Sequence, residues 1–150
     1  FIKHRVEGLF VIKAVFEGLV YDPKGEPIKV AYVGSEPCYV LNDDGFLRYI
    51  PAGDVDWQVW EALTSQITGH EDILSKQAAK MLGQEDIFTV AMLRSQLENK
   101  DEQFKAIQEK GLPEEARQYL GMMGFRITID IHGKVIEVNQ PQVYGDEGNE

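Results

Sequence analysis

Apolar side chains recur at every second position over the first fifty residues and every three or four positions over the next seventy. From Leu9 to Tyr21 one parity is apolar throughout (Phe10, Ile12, Ala14, Phe16, Val20, with Gly18 between). The other parity mixes Val11, Val15 and Leu19 with Lys13 and Glu17, which predicts a long strand buried mainly on one side. Asp22 to Pro27 is a turn, because proline presets φ and Gly25 supplies a positive one. Strands follow at Ile28 to Gly34, Cys38 to Leu41 and Phe46 to Ile50, and Asp44-Gly45 is a strong hairpin signal between the last two. Four antiparallel strands are expected.

The period changes at Pro51. Asp54 is placed to cap a helix running to Thr68, with Trp57, Trp60, Leu63 and Ile67 as its apolar stripe. A second helix spans His70 to Leu82. The longest spans Gln84 to Lys110 and carries Val90, Leu93, Leu97, Phe104 and Ile107 along one side, with Lys100 as the single polar member of the row. Gly111 and Pro113 end it. Pro113 then opens a fourth helix with Ala116, Tyr119, Leu120 and Met123 inward. From Phe125 to Ile131 alternation returns, and His132-Gly133 turns the chain so that Ile129 faces Ile136 and Ile127 faces Val138.

The fold class is therefore α+β: an antiparallel sheet of about four N-terminal strands plus a C-terminal hairpin, packed against a four-helix middle segment. Residues 1–138 form one domain, and 139–150 a flexible acidic tail.

Charge narrows the partners. The net charge of −10 divides as −1 over residues 1–50, −6 over 51–124 and −3 over 125–150. Acid on the helical block repels phosphate backbones and anionic lipid, so neither nucleic acid nor membrane is expected as a partner. A single cysteine, Cys38, forbids an internal disulfide, and with apolar neighbours it reads as a small core residue in a cytoplasmic protein.

Catalytic motifs are weak. His70-Glu71-Asp72-Ile73-Leu74 begins like a zinc-protease helix, but Leu74 stands where the second histidine ligand belongs. Asn42, Asp43, Asp44, Asp54 and Asp56 are close in sequence, yet the calcium-loop spacing fails and turns or caps account for them. Gly121-Met122-Met123-Gly124 has the spacing of a nucleotide clamp without its basic residues. Phosphate-binding glycine loops and nucleophile elbows are missing, and no cofactor or metal is implied. Asp130 and His132 could share one side of a strand end, but no third group completes them.

Three functions remain, in this order. The first is a non-catalytic interaction module, a homodimer or a subunit of a larger assembly, whose interface is Val90, Leu93, Leu97, Phe104 and Ile107. A helix of roughly 26 residues is about 39 Å long and overreaches a domain of this size. The second is a small-molecule binding domain with an aromatic pocket between sheet and helices at Tyr39, Tyr49, Trp57 and Trp60. The third is a hydrolase-type enzyme using His70 or His132 with nearby carboxylates.

Overall fold

The computed structural model of the protein describes residues 12–140. Six strands and five helices follow in order: β1 (Val20–Tyr21), β2 (Lys29–Val33), β3 (Glu36–Asp43), β4 (Phe46–Pro51), α1 (Ala52–Thr64), α2 (Glu71–Met81), α3 (Ile87–Glu98), α4 (Lys100–Lys110), α5 (Glu114–Met122), β5 (Arg126–Ile129) and β6 (Val135–Asn139). The class is α+β, with the strands divided between two three-stranded sheets: β2-β3-β4, antiparallel throughout, and β1-β5-β6. In the second sheet β1 runs parallel to β5, pairing Val20 with Ile127, while β5 and β6 are antiparallel.

The long first strand is not formed over residues 12–19, and its residues 9–11 lie outside the described chain, as does nearly all of the expected tail. Ala14, Val15 and Phe16 are all buried, so adjacent side chains point into the core and no two-faced strand is possible. Turns hold this stretch, with Gly18 at φ 88°. The Val15 N–H finds its acceptor on a helix, at Asp56 Oδ2, 2.8 Å away. Only Val20 and Tyr21 enter a sheet, and they join the C-terminal hairpin rather than β2-β3-β4.

The β3–β4 hairpin matches its signal: Asp44 and Gly45 both take positive φ, and Asn42 Oδ1 accepts the Gly45 N–H at 2.6 Å. The C-terminal hairpin keeps Ile127 opposite Val138 but shifts register after Thr128, setting Ile129 opposite Val135 instead of Ile136. Its turn is longer than two residues because Asp130 Oδ1 accepts the N–H of both His132 and Lys134, at 2.9 Å each. Gly133 in that turn abuts β4: a Cβ there would stand 2.6 Å from Ile50 Cγ2.

α1 begins three residues earlier than expected, after Pro51, so Asp54 lies in its first turn rather than at its cap. Its inner stripe is Ala52, Val55, Asp56 and Val59, one apolar helical face interrupted by a carboxyl. This stripe joins Tyr39 and Leu41 of β3, Ile127 and Ile129 of β5, and the 14–20 stretch in one core. Trp57 and Trp60 lie beside that stripe, against α4.

The expected rod from Gln84 to Lys110 is two helices. Asn99 breaks it at φ −98°, ψ 58°, where its N–H still reaches back to Ser95 and Gln96. Asparagine is a weak helix former, and Trp60 Nε1 donates to the Lys100 carbonyl at 3.0 Å just beyond the break. Asp86 caps α3 through the Thr89 N–H at 3.0 Å. α5 starts at Pro113 as expected, but Tyr119 and Met123 are exposed, and Arg117 is half-buried, donating to the Glu17 carbonyl at 2.9 Å. No helix among the described residues is long and apolar enough to cross a membrane.

Candidate functional site

The four aromatic residues of the expected pocket lie in three different surroundings. Tyr39 is fully buried between β3 and α1, where its hydroxyl donates to Asp56 Oδ1 at 2.6 Å. Tyr49 pairs with Val40 and Ile50 pairs with Tyr39, so Tyr49 projects from the other face of the sheet and is exposed. Trp57 and Trp60 close on Phe104, with ring centroids 5.2 and 6.0 Å apart from it. No single cavity is shared by all four.

Asp56, grouped by sequence with the turn and cap carboxylates, is instead a fully buried core residue. Burial pushes its carboxyl up to about 7, against the opposing pull of the Tyr39 hydroxyl and the backbone N–H groups of Val15 and Phe16. Burial also raises the Tyr39 hydroxyl well above its ordinary value, and the neighbouring Asp56 adds to this. The group is sealed from solvent, so its role is to tie the 14–16 turn, β3 and α1 together. A polar residue between Val55 and Val59 in an apolar helical stripe was the available signal.

The histidines do not assemble a centre. His70 is exposed at the N-terminus of α2, while Glu71 accepts the Gly69 N–H at 3.0 Å and Asp72 pairs with Lys76 and Arg94. Asp130 is occupied by the turn, and the Lys134 and His132 N–H groups hold its carboxyl below the usual range. The acidic run also disperses: Asn42 closes a turn, Asp43 pairs with Arg48 at 3.0 Å, and Asp56 is buried. Among the described residues no three His, Cys, Asp or Glu side chains converge as a metal ion requires. Cys38 is buried, its thiol pushed up by that burial and by Glu36.

The expected interface row is divided by the break at Asn99. Phe104 is buried and Ile107 packs on the main core, so both are covered within one chain. Val90, Leu93 and Leu97 are half-buried on α3. That helix packs along α2, which turns its small buried residues Ser75 and Ala79 into the seam. Arg94 of α3 reaches Asp72 of α2 at 3.0 Å. The main core takes no residue from either helix, so α2 and α3 form a hairpin standing off it.

The outer surface of this hairpin is apolar where the chain bends. Met81 is 88% exposed, Ile87 86%, Phe88 70% and Leu82 63%, with Ile73 and Met92 exposed along the shafts. An open cleft of about 420 Å³ lies between the two helices at Ile87, lined by Lys76, Lys80, Glu85, Ile87 and Val90. The apolar residues at the two helix ends were visible in the sequence, but helical periodicity alone does not say which of them face outward. Comparison of the chain with protein families, curated proteins and solved structures gave no match.

Proposed function

We propose that the protein is a non-catalytic interaction module and that the α2–α3 hairpin is its contact element. The carrying observation is the group Met81, Leu82, Ile87 and Phe88, exposed together at the end of a hairpin that adds nothing to the main core. Burying one such side chain is worth about 1.5–3 kcal/mol, so a protein surface covering all four supplies a substantial part of a stable association. Large apolar side chains left exposed on one element mark candidate interaction sites. The contact surface is thus the outside of the hairpin and not the row from Val90 to Ile107. The scattered aromatics and the occupied carboxylates favour this reading over a ligand pocket or a hydrolase.

The test is the native size of the protein in gentle extracts of its own cells. The wild type is expected in a particle heavier than the free chain, and the variant Ile87→Asp/Phe88→Asp at the size of the free chain. Its circular dichroism should be unchanged, because neither side chain supports the core. A wild type at free-chain size, or a variant still in the heavier particle, would overturn the reading.

A further inference from the structure

Building on that reading, we infer that the partner is a second copy of this chain, docked hairpin to hairpin about a two-fold axis. Phe88 and Ile87 of each copy enter the cleft of the other, and Lys80 lies against the partner's Glu85.

A two-fold contact requires one patch to carry both halves of the match. The hairpin does so in shape: Ile87, exposed at its bend beside Phe88 in sequence, lines an open cleft between the same two helices. It does so in charge as well. Lys76 and Lys80 line the cleft from α2, one helical turn apart, and Glu85 lines it from the bend. Lys80 and Glu85 enter no ion pair among the described residues, whereas Asp72, Lys76, Arg94 and Glu98 are already joined along the hairpin. A two-fold rotation that exchanges the cleft walls brings each Lys80 to the partner's Glu85, and does so twice.

The charge of the hairpin permits a like partner. Residues 71–98 hold three basic and five acidic side chains, so only −2 of the net −10 resides in the hairpin. Two copies meeting through it keep most of their acidic surface apart. Glu85 and Asp86 flank the apolar bend and oppose insertion into an anionic bilayer, the other surface such a bend fits.

Light scattering on the purified protein tests the pairing. The wild type is expected at twice the single-chain mass of 17.0 kDa. Lys80→Glu and Glu85→Lys should each weaken the dimer about tenfold, a difference of about 1.4 kcal/mol. The double variant should return to within a few-fold of wild type, because both reversed charges again meet opposites across the axis. Phe88→Asp should give single chains with an unchanged circular dichroism spectrum. A monomeric wild type overturns the inference while leaving the hairpin reading to the extract experiment above. A dimer indifferent to both single reversals, or a double variant weaker than either, overturns the pairing. Sedimentation with phosphatidylserine vesicles that Phe88→Asp abolishes, without any dimer, would also overturn it.

Discussion

Asp56→Ala is expected to lower stability by about 3 kcal/mol or more, read as a lower urea midpoint with an unchanged slope. The carboxyl is sealed between α1, β3 and the 14–16 turn, and it accepts from Tyr39 Oη at 2.6 Å and Val15 N at 2.8 Å. Removing it leaves a buried hydroxyl and a buried N–H without partners, each costing about 1–3 kcal/mol, plus the cavity. The same group gives stability a pH dependence of definite sign. Its folded value of about 7 stands above the ordinary 3.8, so between these limits the folded state binds more protons than the unfolded chain. The stabilisation is complete below about 4 and is lost as pH rises through about 7, by at most roughly 4 kcal/mol. Wild type should therefore unfold at lower urea at pH 8 than at pH 5, and Asp56→Asn should flatten that difference. An equally steep pH dependence in Asp56→Asn would refute this role.

Phe104→Ala is expected to cost about 3–5 kcal/mol of stability. Its ring is 7% exposed and closes against both Trp57 and Trp60. The substitution loosens α4 from α1 but touches nothing on the outer face of the hairpin. Thermal unfolding should drop well below wild type while the association state of the folded fraction stays the same. A variant of wild-type stability that no longer associates would restore Phe104 to the interface where its helical spacing first placed it.

The particular elements explain what was legible in the chain. Asp44-Gly45 fixed a hairpin because two adjacent positive φ angles admit few residue pairs, and Gly111-Leu112-Pro113 fixed a helix end for a similar local reason. The α+β class followed from the change of period at Pro51. Residues 12–19 were misread because alternating apolar positions also occur in a fully buried turn, and no local signal announces that Val15 bonds to a residue 41 positions away. The rod from Gln84 to Lys110 was misread because a row with three- and four-residue spacing is blind to a single residue leaving helical dihedrals. Asn99 alone redirected Phe104 from a supposed outer flank to the tryptophans of α1. For the candidate site, the sequence carried the apolar positions of α3, but long-range packing decided which side of that helix faces outward.

Hydrogen–deuterium exchange on the purified protein, compared at high and low concentration, addresses the hairpin most directly. Amides of residues 81–92 should exchange more slowly in the concentrated sample, with those of α5 and β6 unaltered. Identical rates across 81–92 at both concentrations, or slowing confined to α5 or the outer face of the β2-β3-β4 sheet, would contradict it.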